Sequence, residues 1–252
     1  MISKSQIKLI TSLQQKKYRV KTGLFVAEGP KIIRDILEAG LKIHSLYAID
    51  EKYELAESFR ASFSFSEAVV EVSPRELQKI SALKTANTML AVFHQPKEKN
   101  VTDDGLVVAL DMVRDPGNLG TIIRLCDWFG VNQLICANDT VDCFNPKVVQ
   151  ATMGSIARVS VVYLDLSAYI QRTNLPVYAA MMDGTNVYTS KLPEQALLVM
   201  GNEANGISSE IASQIQHKIT IPNFRAEQSA ESLNVATATG ILLSEFKRSI
   251  ER

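Results

Sequence analysis

Asn118 and Arg124 stand six positions apart in the run Asp115-Pro116-Gly117-Asn118-Leu119-Gly120-Thr121-Ile122-Ile123-Arg124, and both side chains can do chemistry. A guanidinium cannot serve as a conventional base, but it can grip a phosphate at two points and stabilise negative charge growing on an oxygen. Pro and Gly make a turn, and Asn118 is placed to cap a helix running from about Leu119 to Phe129. Gly120, one turn before Arg124, leaves room over which the guanidinium can reach. A second run, Gly201-Asn202-Glu203-Ala204-Asn205-Gly206, sets a carboxylate between glycines and permits a tight turn whose backbone approaches a ligand closely. A third, Ile219-Thr220-Ile221-Pro222, is followed by a polar stretch and then by Ser232-Leu233-Asn234-Val235-Ala236 opening an apolar helix.

Each run also has a purely structural reading. Asn118 and Ser232 are good helix caps, most helical arginines are solvated, and the glycine run can be a surface loop that caps a helix at Ser208. Asn234 inside a helix is less easily set aside, since a buried amide must find partners. Other chemistries find no footing. The GxGxxG dinucleotide pattern and the Walker loop are missing. Cys126, Cys136 and Cys143 are odd in number and never spaced CxxC, which reads as buried free thiols, and His44, His94 and His217 lack metal-ligand spacing, so no metal is expected.

The elements that position these runs are buried-type strands. Leu106 to Leu110, Gln133 to Ala137, Val159 to Leu164, Val177 to Met181 and Leu197 to Met200 are near-continuous apolar runs alternating with helices, the pattern of a mostly parallel sheet covered on both faces. Each candidate run follows such a strand, where ligands of open α/β sheets bind. The last helix, Ser232 to Arg248, is apolar on more than one stripe and must be buried in a core or against a partner.

Ahead of the polar stretch Gln95 to Gly105, the pattern is that of a smaller α/β unit: helix near Ile7 to Leu13, strand Leu24 to Ala27, helix Lys31 to Ala39, strand Ile43 to Ile49, and a short helix capped by Ser73 with Pro74 at its first position. The expected organisation is therefore a domain over residues 1–95, a linker over 96–105 and a second domain over 106–252. A content of 46% hydrophobic and 21% charged residues supplies real cores and excludes a disordered chain. Without a membrane-length apolar window or a secretory leader, a cytoplasmic protein is expected. Net charge is zero, yet Lys4, Lys8, Lys16, Lys17, Arg19 and Lys21 precede the first carboxylate, Glu28, and form either a phosphate-binding patch or a solvated helix face.

In order along the chain, NLGTIIR, GNEANG and IP with SLNVATATGILLSEF resemble the three motifs of the SpoU (TrmH-like) family of RNA ribose 2'-O-methyltransferases, from Leu106 to the C-terminus. The first part, through Leu24-Phe25-Val26-Ala27-Glu28-Gly29, is similar to the RNA substrate-binding domain often attached to them. The resemblance implies an α/β fold with a C-terminal trefoil knot (SPOUT-like), S-adenosylmethionine as cofactor, and a homodimer made through the C-terminal domain. Arg124 would be the central catalytic residue, with Asn118, Glu203, Ser232 and Asn234 shaping the site and backbone around Gly201, Ile221 and Leu233 holding the cofactor. Ribosomal RNA is expected ahead of transfer RNA because of the kind of N-terminal domain. The alternatives are a tRNA enzyme of the same family, a base methyltransferase of the same superfamily, and an RNA-binding protein without activity. The stretch Asn223 to Glu231 departs from the family, which has a shorter loop with Met and Gly there.

Overall fold

The computed structural model describes residues 2–97, 100–224 and 232–250, with side chains up to 248; most of the divergent 223–231 stretch, from 225 on, lies outside the described residues. The chain forms two compact units, Met1–Lys97 with Asp142–Arg158, and Glu98–Val141 with Val159–Arg252.

The first unit begins with α1 (Lys4–Ser12), opened by a reciprocal cap in which Ser3 Oγ accepts from the Gln6 backbone and the Gln6 side chain accepts from Ser3 N. After α2 (Lys16–Thr22), Gly23 takes the left-handed conformation that ends the helix. Then come β1 (Leu24–Glu28), α3 (Pro30–Glu38), β2 (Ile43–Ala48), α4 (Asp50–Ser62), β3 (Val69–Glu71), α5 (Pro74–Ile80), capped by Ser73 as the Ser-Pro pair predicts, and β4 (Met89–His94). The sheet order is β1-β4-β2-β3, antiparallel except for β2 with β3. Leu24 and Val26 share one core with Leu13, Tyr47 and Leu77, while Phe25 on the opposite face stacks with Phe93 and meets the tilted ring of Phe144.

Arg19 corrects the basic-patch expectation. It is 2% exposed, donates from Nε and Nη2 to Asp142 Oδ2 at 2.9 and 2.5 Å, and donates from Nη1 to the Leu13 carbonyl at 2.7 Å. A guanidinium so engaged is unavailable to phosphate. Lys4, Lys8, Lys16, Lys17 and Lys21 do remain exposed.

The second unit follows with β5 (Leu106–Leu110), α6 (Pro116–Trp128) and β6 (Gln133–Ala137); the next helix, α7 (Pro146–Thr152), belongs to the first unit. The second unit resumes with β7 (Ser160–Leu164), α8 (Leu166–Arg172), β8 (Val177–Asn186), β9 (Ala196–Met200), α9 (Ser209–Ala212), β10 (His217–Thr220) and α10 (Val235–Ile250). Its six strands are all parallel, in the order β10-β8-β9-β5-β6-β7. Every residue of β5 and β9 is buried, as apolar strands covered on both faces require. Chain direction across the sheet reverses at β5 and β9, so the loops leaving their carboxyl ends part there and open a crevice. Within the polar stretch before β5, Asp103 accepts from Tyr169 Oη at 2.7 Å and Asn174 N at 2.9 Å, which ties that end to the second unit. Among the described residues no helix is long and apolar enough to cross a membrane.

Candidate active site

The crevice is built from the loops after β5 and β9, and the two are clasped together. Asp111, 3% exposed, accepts from Ser208 N at 2.7 Å, and the Met112 carbonyl accepts from Asn202 Nδ2 at 2.8 Å. Met112 takes φ 58°, a left-handed conformation uncommon outside glycine, which turns that carbonyl toward the glycine loop. The Asn202 Oδ1 in turn accepts from Ala204 N and Asn205 N, so one side chain shapes the loop that carries Glu203. A Cβ on Gly201 would collide with the backbone of Gly206 and Ile207. Glycine is therefore demanded there by the chain's own close approach.

Two cap assignments differ from expectation. The cap of α6 is Asp115, whose carboxylate accepts from Asn118 N at 2.8 Å. The last helix begins at Val235, and Asn234, not Ser232, faces its open amides, accepting from Ala236 N at 3.0 Å and Thr237 N at 3.2 Å. These caps leave both asparagine side chains with groups to spare. Asn234 Nδ2 donates to Asn118 Oδ1 at 2.9 Å, and Asn118 Nδ2 donates to Glu203 Oε1 at 2.7 Å. An ionised carboxylate only accepts, so Glu203 fixes the amide of Asn118, which then fixes that of Asn234. Three residues, one each from the start of α6, the loop after β9 and the entry to α10, thus form one directed string.

Beside the string lies a cavity of about 610 Å³, within the size range of small-ligand sites. Gly201, Ile221, Leu233, Ser232 and Glu203 all line it, together with Met181 and Met182 of β8, Phe224, and the apolar Val235 and Leu242 of α10. Arg124 is not among its lining residues. Six positions after Asn118 it lies about 120° around the helix, exposed, on a face shared with Thr121 and Trp128, and without a hydrogen bond or ion pair among the described residues. Gly120 is buried in the packing face, not open beneath the guanidinium. Sequence reasoning missed Asp111, Asn202, Met182, Tyr188 and Phe224. Asp111 carries the one available signal, a charged residue set directly after a buried strand.

A parallel α/β sheet with a ligand-sized cavity at the carboxyl ends of β8, β9 and β10 and a polar string beside it defines a small-ligand enzyme fold. Residues 105–244 match the SpoU rRNA methylase family, and the chain belongs to that family. Residues 4–91 match the MRM3-like substrate binding domain. Among curated proteins, the 23S rRNA (guanosine(2553)-2'-O)-methyltransferase RlmP of Bacillus subtilis is 28% identical over 239 residues, 93% of each chain. Among solved structures, a TrmH-family protein from Porphyromonas gingivalis is 39% identical with a TM-score of 0.85, covering 98% of this chain and 99% of that one. An AdoMet-bound rRNA methyltransferase from Sinorhizobium meliloti is 32% identical with a TM-score of 0.85, covering 98% and 97%.

Proposed function

We propose that this protein transfers a methyl group from S-adenosylmethionine to a ribose 2'-hydroxyl of RNA, with ribosomal RNA as the substrate. The observation that carries the reading is the convergence of Gly201, Ile221 and Leu233 on one cavity whose rim holds the Glu203–Asn118–Asn234 string. The activities named for the Bacillus subtilis and Sinorhizobium meliloti relatives support it.

The cavity suits the cofactor by size and by donor set. Backbone groups at Gly201, Ile221 and Leu233 offer polar contacts, Met182, Val235 and Leu242 offer apolar walls, and Glu203 supplies a carboxylate to a cationic ligand. S-adenosylmethionine, when bound, supplies an electrophilic methyl group. A ribose hydroxyl is a poor nucleophile, so the chain must hold the oxygen in line and stabilise the charge it develops. Asn118, Asn234 and Ser232 orient the ribose at the rim. Arg124 binds an RNA phosphate at two points and stabilises the emerging alkoxide.

The first unit is the RNA-binding domain, its exposed lysines facing phosphates. A homodimer through the C-terminal unit accounts for Trp128, 84% exposed on α6. The trefoil knot and a cytoplasmic location belong to the same reading. The test is to map 2'-O-methylation of ribosomal RNA in cells with and without the gene. Loss of one methyl mark with the gene is expected. An unchanged map, with no calorimetric binding of S-adenosylmethionine, would make the protein an RNA binder without activity.

A further inference from the structure

Two aromatic rings stand at the junction of the cavity and the open groove between α6 and α10, and the outer one, Phe224, is too exposed for folding to explain it. Tyr188 lies in a single helical turn after β8, held by Asn186, whose Oδ1 accepts from Tyr188 N at 2.9 Å and whose carbonyl accepts from Ser190 Oγ at 2.8 Å. Phe224 follows Ile221-Pro222 at the end of β10. The two rings stack at 6.4 Å between centroids and 23° between planes, yet Tyr188 is 40% and Phe224 85% exposed. A phenyl ring left that far in water contributes little to folding.

Their position gives the rings a purpose. Phe224 lines the cavity with Gly201 and Ile221, and Tyr188 lines the groove with Asn118 and Asn234. The pair therefore bridges the proposed methyl-donor side and the proposed ribose-orienting side. A base is joined to the ribose carbon next to the one that bears the 2'-oxygen. Bringing that oxygen to the rim brings the base to the rings. Unstacked RNA bases are commonly held on aromatic faces, and such stacking accepts any base because every base has a π-face.

We propose that Tyr188 and Phe224 form a stacking platform for the base of the nucleotide whose ribose is methylated, an inference that rests on the transfer-site reading above. The platform sets the base plane and so the direction of the 2'-oxygen.

The experiment is single-turnover methyl transfer from tritiated S-adenosylmethionine to ribosomal RNA purified from cells lacking the gene, with RNA concentration varied. Phe224→Ala and Tyr188→Ala are expected to raise the RNA concentration for half-maximal rate by about tenfold or more. Phe224→Trp, which keeps a π-face, should stay near wild type. Affinity for S-adenosylmethionine alone, by calorimetry, should not move in Tyr188→Ala, whose ring is outside the cavity lining; Phe224→Ala is assayed at saturating S-adenosylmethionine, and mass by sedimentation should not move in either. Unchanged RNA dependence in both alanine variants would overturn the platform. So would loss of cofactor affinity in Tyr188→Ala, which would make the pair a wall for the cofactor, or a change of mass, which would make the pair a contact between copies. A wild-type protein that labels no ribose would instead overturn the transfer-site reading and the platform with it.

Discussion

Asn118 donates its side-chain amide to Glu203 Oε1 at 2.7 Å, and that bond couples the first turn of α6 to the loop after β9. It forces the Asn118 oxygen toward Asn234, so the segments that follow β5, β9 and β10 share one hydrogen-bonded string.

Asn118→Asp keeps the shape but sets an acceptor against an acceptor and brings two carboxylates together. Losing a hydrogen bond to a charged group costs about 1.5–3 kcal/mol, so methyl transfer should fall by about ten- to a hundredfold. Cofactor affinity should change little, because Asn118 is not part of the cavity lining. Single-turnover rates beside calorimetry check this; a folded variant with an intact rate would detach the string from the reaction.

Asp111 acts through the loop it holds. Asp111→Ala leaves the Ser208 amide without its acceptor and frees the glycine loop from the end of β5. Affinity for S-adenosylmethionine should drop about tenfold or more, and Asp111→Asn, which keeps an acceptor, should recover part of it. Equal affinities in wild type and the alanine variant would make the clasp irrelevant to the cavity.

The Arg19–Asp142 pair predicts a stability defect rather than an RNA-binding one. Removing one partner of a buried ion pair strands the other, at a cost of about 3–5 kcal/mol. Arg19→Ala should lower the melting temperature sharply, whereas Lys8→Ala or Lys17→Ala should leave it alone and weaken RNA binding in a salt-dependent way. Thermal melting and RNA titrations at two salt concentrations separate the two effects.

Glu28 introduces a pH dependence. Burial holds its carboxyl above the ordinary 4.5, against the opposing pull of hydrogen bonds from Ser81 Oγ and Ala82 N. The folded state therefore holds this proton more tightly than the unfolded state. The stability it contributes is full below about pH 4.5 and is lost as pH rises through the folded value. The stability gap between wild type and Glu28→Gln, measured by denaturant titration, should move against wild type over that rise. A gap that stays flat with pH would show that Glu28 keeps an unperturbed carboxyl.

Much of this was legible in the sequence, and the misses have physical causes. β5 and β6 have the bounds read from Leu106 to Leu110 and Gln133 to Ala137, because buried parallel strands are continuous apolar runs closed by polar turns. Caps were harder. Asp115 and Asn118 can each cap the same helix, and only the fold decides that Asp115 does so and leaves the Asn118 amide to reach Glu203. Arg19 looked like one more surface cation, because the carboxylate that buries it lies in a segment far along the chain. For the same reason nothing local marks residues 142–158 as part of the first unit. Phe224 and Tyr188 have no signature in spacing; their exposure beside the cavity is a product of the fold.

Where the methyl group goes, and whether Arg124 sends it there, decides the reaction most directly. Ribosomal RNA from cells lacking the gene is incubated with tritiated S-adenosylmethionine and either wild-type or Arg124→Ala protein, then digested to nucleosides, with melting and cofactor affinity measured on both proteins. Label is expected in one 2'-O-methylnucleoside with wild type, and almost none with a folded Arg124→Ala that binds cofactor normally. Arg124→Lys should rescue little, since an ammonium lacks the planar two-point grip on phosphate. Label on a base, or a folded Arg124→Ala protein that methylates ribose at most of the wild-type rate, would contradict it.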